Sequence, residues 1–192
     1  MEELKELILK EAKICENDAI SFNSFLNQQI SVELLRKMAE IWKERYKNAK
    51  ITKIVTMESA GIVFGTAAAL AFNVPLVYAK KDYSSLVPEG AYSSKIYSYT
   101  KKRSYYAYIP EGYISSDDNV LIVDDVIANG WASDGLCDIL NQVGANLEGI
   151  AVAIEKAFYQ GAKRLRARGI RVESLVKVTK VSYADKRIEF GD

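Results

Sequence analysis

The chain has 192 residues, 49% hydrophobic and 27% charged, with a formal net charge of +1. Those values suit one ordinary soluble domain with its own core, and give no bulk electrostatic reason for a nucleic-acid or membrane partner. There is no histidine, which excludes every His-dependent triad and any His-ligated metal, and Cys15 and Cys137 are too few and too far apart for a disulfide framework or a zinc site.

The first residues have no secretory character, and no apolar run nears membrane-spanning length, so a cytoplasmic chain is expected. Residues 2–14 alternate charge with Leu4, Leu7, Ile8 and Leu9, the spacing of an amphipathic helix. Residues 19–30 keep neither helical nor strand period; apolar side chains interleaved with amides can line a pocket for a flat polar ring, or simply pack as a loop. Ser31 is placed to cap a helix whose core face is Leu34, Leu35, Met38, Ile41 and Trp42. Residues 51–57 form a β-branched strand that ends in Glu58-Ser59-Ala60-Gly61 before a helix of small and apolar residues. Such a strand–loop–helix junction offers free N–H groups and a Ser hydroxyl to an anion, or serves as a structural turn. A third strand, 74–79, closes on Lys80-Lys81. Residues 82–104 carry Pro88, Gly90, several Ser and Tyr, and Lys101-Lys102-Arg103, the composition of a mobile basic loop or a hairpin. The tyrosines around that cluster (Tyr97, Tyr99, Tyr105, Tyr106, Tyr108) favour a hairpin with one aromatic face over a nucleic-acid platform.

Residues 120–132 carry the strongest signal. Val120-Leu121-Ile122-Val123 runs into Asp124-Asp125, which reads as a buried parallel strand ending at a functional rim. Ala128-Asn129-Gly130-Trp131-Ala132 then opens a helix patterned by Leu136, Ile139, Leu140 and Val143. A Gly-bearing loop at a helix N-terminus favours a phosphate, whereas paired carboxylates repel one and suit sugar hydroxyls or a metal beside it. Gly144-Ala145 breaks the chain, 149–155 is another buried strand, and Lys156 with Phe158 stands at its end. A last helix over 161–168 and strands over 172–178 and 187–190 complete the pattern. Alternating strands and helices predict an α/β fold with a mostly parallel central sheet flanked by helices. Glu58, Lys80, Asp124 and Lys156 then converge on the strands' C-terminal ends, where such sheets bind ligands.

The strand, the two acids and the loop ending in Gly resemble the phosphoribosyl-pyrophosphate (PRPP) motif of type I phosphoribosyltransferases. The Ala128-Asn129-Gly130 variant and the Ser24-Phe25-Leu26-Asn27 run are most similar to the bacterial xanthine branch, and the likeness spans nearly the whole chain. It implies a single type I phosphoribosyltransferase domain over 1–192, with a hood from about 1–30 and 170–192 over the base and a mobile loop or hairpin near 82–108. It implies that Asp124 and Asp125 act on ribose hydroxyls, 128–132 holds the 5′-phosphate, and Glu58, Ser59, Ala60 and Gly61 cup pyrophosphate with Lys80 or Lys81. Ile20, Asn27, Lys156 and Phe158 would meet the purine. The implied reaction joins xanthine to PRPP, with Mg²⁺ held mainly by the substrate, in a homodimer. Trp131 replaces a smaller polar residue, and Ala128 stands where hypoxanthine-guanine enzymes carry a carboxylate base. Adenine lacks the oxo group that Lys156 would read. A PRPP-sensing regulator would need a nucleic-acid element, absent from the first helices, and a Walker-type binder would need Gly-Lys-Ser/Thr.

Overall fold

A computed structural model describes residues 1–16, 19–83, 87–98 and 103–191. In chain order the elements are α1 (Glu2–Glu11), β1 (Lys13–Cys15), β2 (Ala19–Ser21), a π-turn (Asn23–Asn27), α2 (Val32–Arg45), β3 (Lys53–Met57) and α3 (Ala60–Phe72). Then follow β4 (Leu76–Asp82), β5 (Ala91–Ser98), β6 (Arg103–Pro110), β7 (Asn119–Ile127), α4 (Trp131–Val143), β8 (Asn146–Lys156), α5 (Gly161–Ala167), β9 (Val172–Ser182) and β10 (Arg187–Gly191). One sheet of eight strands has the order β10-β9-β8-β7-β3-β4-β6-β5. Its inner strands β4, β3, β7, β8 and β9 are parallel; α3, α4 and α5 make the crossovers from β3 to β4, β7 to β8 and β8 to β9, and the β5–β6 hairpin carries the chain from β4 back to β7. Antiparallel β10 closes one edge, and the β5–β6 hairpin extends the other.

Both faces of the sheet are covered, which is why β7 and β8 read as continuous apolar runs rather than alternating ones. On one face Ile8 of α1, Met38 and Trp42 of α2 and Phe64 of α3 pack on Ile54, Leu121 and Ala153. On the other, Leu136 and Ile139 of α4 and Leu165 of α5 pack on Val55, Ile122 and Val152. Each of the large aliphatic or Phe side chains among them contributes roughly 1.5–3 kcal/mol by leaving water. Ser31 caps α2 as its position suggests, accepting the Leu34 N–H at 3.3 Å.

Three local expectations change. The first helix stops at Glu11, not residue 14, because Lys13–Cys15 pairs antiparallel with Ala19–Ser21. The aperiodic stretch after it is that second short strand followed by the π-turn, which buries Phe25 and Leu26. Residues 91–98 and 103–110 form a regular hairpin joined to β4, and its tyrosines do not share a face. Tyr105 is buried opposite Ile96, while strand alternation sends Tyr106 and Tyr108 to the other side. Tyr99, Lys101 and Lys102 lie outside the described residues. No helix among the described residues is long and apolar enough to cross a membrane.

The chain leaves β3 on one side to make β4 and comes back on the other to make β7. That reversal is a topological switch point, and the crevice it opens lies at the C-terminal ends of β3 and β7.

Candidate active site

β7 pairs with β3 only as far as Val55↔Ile122, whereas its pairing with β8 runs on to Ile127↔Glu155. The strands part after Val55, while β3 stays paired with β4 as far as Met57↔Ala79 before the chain turns through Glu58 and Ser59 into α3. Asp124 and Asp125 therefore do not end their strand, as the sequence pattern suggests; they lie inside β7, beyond its last pair with β3, where the two strands have parted. The Asp125 N–H donates to Asp124 Oδ1 at 2.9 Å, and the Val126 N–H to Asp125 Oδ1 at 2.8 Å. Burial, and then the charge of Asp125, pushes the Asp124 carboxyl well above the usual carboxylate range; burial also raises Asp125. The cations opposing those shifts are Lys81 for Asp124 and Lys156 for Asp125. The pair is thus poised to gain from hydroxyl donors or a cation.

The first loop lies against this pair. Glu58 extends the β3–β4 ladder, its N–H donating to Ala79 O at 3.1 Å, and its Oε1 accepts the Lys81 N–H at 2.5 Å. Ser59 precedes α3 without a side-chain cap bond, so the helix's first N–H groups have no side-chain acceptor from that residue. A Cβ on Gly61 would sit 2.2 Å from Thr56 Oγ1 and 3.0 Å from Asp124 Oδ1; only glycine lets α3 start this close to both strands. The Thr56 hydroxyl is fully buried and has no hydrogen-bond partner among the described residues. Alternation along β4 separates the two lysines. Lys81 is half-buried with Nζ 5.6 Å from the Tyr105 ring centroid, on the Asp124 side, and Lys80 is exposed on the opposite face.

The second loop, 128–132, follows β7. Gly130 takes a left-handed φ of +77° and precedes α4 without any side-chain cap. Its carbonyl accepts the Asp134 N–H at 2.8 Å. Behind it, the Gly161 N–H donates to Ala128 O at 3.1 Å and Arg164 Nη2 to Asn129 O at 2.9 Å. Trp131 is 41% exposed, and Arg164 lies 4.9 Å over its ring. Asp124 and this loop line a cleft of about 210 Å³, walled by Ile96, Tyr97 and Tyr105 of the hairpin. Burial, with Tyr83 and Asp124 nearby, holds the Tyr105 hydroxyl protonated with a pKa pushed up to about 12. Tyr105 and Tyr97 line the cleft although the sequence pattern assigns them only to a hairpin, and Thr56, buried beside Gly61, is not singled out at all. The only signal for Tyr105 was its alternation, which needs the β5–β6 register to decide which way it points.

Lys156 ends β8. Its Nζ donates to Ile20 O at 3.0 Å and lies 5.3 Å from the Phe22 ring centroid, so strand β2 sits directly over this rim. Burial lowers the Lys156 pKa, and the Asp125 charge works against that. Ile20 itself is buried in the core, so its backbone carbonyl meets Lys156. Asn27 is exposed, its amide donating to Asn23 Oδ1 at 3.3 Å. Phe158 is 37% exposed and packs on Tyr159 with ring centroids 4.9 Å apart. No group of three or more His, Cys, Asp or Glu able to hold a metal occurs among the described residues.

The phosphoribosyl transferase domain family matches residues 21–185. A curated xanthine phosphoribosyltransferase of Clostridium novyi is 42% identical over 178 residues, 93% of this chain and 94% of that protein. One from Ruminiclostridium cellulolyticum is 41% identical over 192 residues, with both chains covered in full. Among solved structures, an adenine phosphoribosyltransferase of Rhodothermus marinus superposes with a TM-score of 0.75 at 23% identity, covering 93% of this chain and 100% of the other.

Proposed function

The chain belongs to the phosphoribosyltransferase family, and we propose from that premise that it transfers the 5-phosphoribosyl group of PRPP to xanthine, a cytoplasmic step of purine salvage. The products are xanthosine 5′-monophosphate and pyrophosphate. The observation that carries the reading is the juxtaposition at the switch point: two capless helix starts flank one carboxylate pair, with Gly61 so placed that a Cβ on it would fall 3.0 Å from Asp124 Oδ1. A ribose with a phosphate at C5 and a diphosphate at C1 needs that arrangement of two anion seats and a hydroxyl-binding centre.

In the reaction the bond from C1 to the pyrophosphate oxygen breaks, a purine nitrogen bonds to C1, and that nitrogen's proton leaves to solvent. The sugar passes through a cation-like state, as in glycoside chemistry. Asp124 and Asp125 hold ribose hydroxyls and stabilise that positive charge. The N–H groups of 128–132 hold the 5′-phosphate, and those of 58–61 with Lys81 hold pyrophosphate. No covalent nucleophile is needed. Two adjacent carboxylates, with no third ligand grouped beside them among the described residues, would share Mg²⁺ with the substrate rather than hold it alone, and the ion would supply charge neutralisation for the leaving group.

Lys156, beside Ile20 and the Phe22 ring, favours a purine with an oxo edge under the hood, where Phe158 and Asn27 would meet the same base. The adenine enzymes among the structural neighbours share the fold, and their substrate lacks that group. Lys80, on the far face of β4, would serve only a second copy's site. A homodimer fits this and a groove of about 810 Å³ between α2 and α3, where Val32 and Leu70 are each 77% exposed. The charges beside it, Arg36 and Glu40 of α2, pair with each other and so add no net charge that would repel a second copy. Sedimentation of the pure protein tests the dimer. The reaction is tested by incubating the protein with PRPP, Mg²⁺ and xanthine, hypoxanthine, guanine or adenine in turn. Xanthosine monophosphate formed at the highest kcat/KM is the expected outcome; preference for another purine reassigns the base, and no nucleotide from any purine rejects the reaction.

A further inference from the structure

We infer that Arg164 is a positioning residue for the 5′-phosphate loop: with Gly161 it holds the loop's carbonyls from behind, so that the N–H groups of Asn129 and Gly130 face the cleft. The inference rests on the reading of 128–132 as the phosphate seat. Its basis is peptide geometry. Across a planar trans peptide the C=O and the following N–H point in opposite directions. The Ala128 carbonyl is bonded to the Gly161 N–H, which turns the Asn129 N–H the other way. The Asn129 carbonyl is bonded to Arg164 Nη2, which does the same for the Gly130 N–H. Both carbonyls are thus fixed from α5, and both N–H groups are directed away from it. Neither loop residue could enforce this alone, since Gly130 sits at a left-handed φ, where a free peptide turns over easily.

The guanidinium is itself fixed on two further sides. Arg164 Nη2 pairs with Asp134 Oδ2 at 2.5 Å, and its plane lies over the Trp131 ring. Arg168 reaches the other oxygen of Asp134 at 2.7 Å. Asp134 stands in the first turn of α4, where an unpaired carboxylate would oppose a bound phosphate. The two arginines cancel that charge and leave the loop with a net positive backing. The bulky Trp131 acquires a role here as the surface against which Arg164 is held.

The Gly161 contact leaves no room for any other residue, since a Cβ there would fall 2.3 Å from Ala128 O. Arg164 is the member of the brace that can be changed without a backbone clash, and so is the one to test.

The experiment measures calorimetric binding of ribose 5-phosphate, of pyrophosphate with Mg²⁺ and of PRPP with Mg²⁺ to wild type, Arg164→Met and Arg164→Lys, with steady-state kinetics and thermal melts on the same samples. Arg164→Met is expected to weaken ribose 5-phosphate and PRPP about tenfold, the loss of one charged hydrogen bond, while pyrophosphate affinity and kcat at saturating PRPP stay within about twofold. Arg164→Lys keeps a donor for Asn129 and should recover most of the loss. Unchanged ribose 5-phosphate affinity in Arg164→Met overturns the inference, and so does an equal loss of ribose 5-phosphate and pyrophosphate with a lowered Tm, which marks a merely structural ion pair. Wild type that binds neither PRPP nor ribose 5-phosphate overturns the functional reading, and this inference with it.

Discussion

The β3–α3 and β7–α4 junctions begin alike, each an apolar strand, a short loop of small residues and a helix with no side-chain cap at its start. They differ in what fixes the loop. The first is tied to the neighbouring strand: Glu58 bonds the backbone of Ala79 and Lys81 in β4, and Gly61 wedges α3 against Thr56 and Asp124. The second is tied to a helix reached one strand later, through Gly161 and Arg164. The same local recipe is therefore supported from opposite sides of the switch point. Damage to the first seat should spread toward β4 and the hairpin, and damage to the second toward the Phe158 loop and the base.

The largest effect should come from removing the backbone freedom on which the second seat depends. Gly130→Val puts a β-branched side chain at a left-handed φ, with its Cβ 3.2 Å from the Gly161 Cα. PRPP binding should be abolished in calorimetry while pyrophosphate still binds at the first seat. Retained PRPP affinity would break the division between the seats.

Between the seats, Asp124→Asn and Asp125→Asn should each lower kcat by about thirtyfold or more, within the 1.5–3 kcal/mol of a charged hydrogen bond. The fold should gain. A carboxyl whose folded pKa is raised binds its proton more tightly folded than unfolded, so its ionisation costs stability as pH rises from the ordinary carboxylate value through the raised one. Asn removes that cost. Each variant should therefore melt above wild type at pH 7, with the gap shrinking in acid. A lower Tm at pH 7 would mean that the acids support the structure rather than the substrate.

The fold was legible because its signals are local and strong: apolar runs too continuous for one-sided strands, separated by helical periods. The anion loops were legible for the same reason, each being a contiguous strand–loop–helix segment. What the sequence concealed is whatever depends on register or on a second segment. Alternation from Lys80 to Lys81 cannot say which face is inward until β4 has a partner. Tyr105 faces Asp124 only because Ile96 pairs with it. Arg164 has no sequence mark of its own, since its partners Asn129 and Asp134 lie 35 and 30 residues away. Glu58 reads as a rim acid, but its carboxylate in the structure is occupied with a backbone amide of the next strand.

Lys156→Met separates the seats from the base. Lys156 and Gly161 share one connection, so a defect in that loop could reach either the purine or the phosphate. Losing the ammonium should lower kcat/KM for xanthine about tenfold and leave PRPP affinity unchanged. Adenine turnover should not fall, since adenine offers no oxo group there. Because Lys156 also donates to Ile20 O, the melt should fall modestly as β2 loses its tie. If all purines lose turnover in the same ratio, Lys156 holds the hood and reads nothing.

The smallest effect should be Glu58→Ala, and it bears most directly on how the two seats differ. The carboxylate accepts a backbone N–H at 2.5 Å, a charged bond, but Glu58 is only half-buried, so solvent competes for it. Removing it frees the Lys81 amide while the Ala79 carbonyl and the Gly61 wedge still hold the loop. A loop supported by three ties should survive the loss of one, whereas the second seat, with a left-handed glycine at its centre, should not tolerate the loss of that glycine. Pyrophosphate affinity should fall about threefold, with ribose 5-phosphate affinity unchanged. Loss of ribose 5-phosphate binding in Glu58→Ala would show that the two seats are one cooperative unit, and that support from opposite sides of the crevice does not keep them apart.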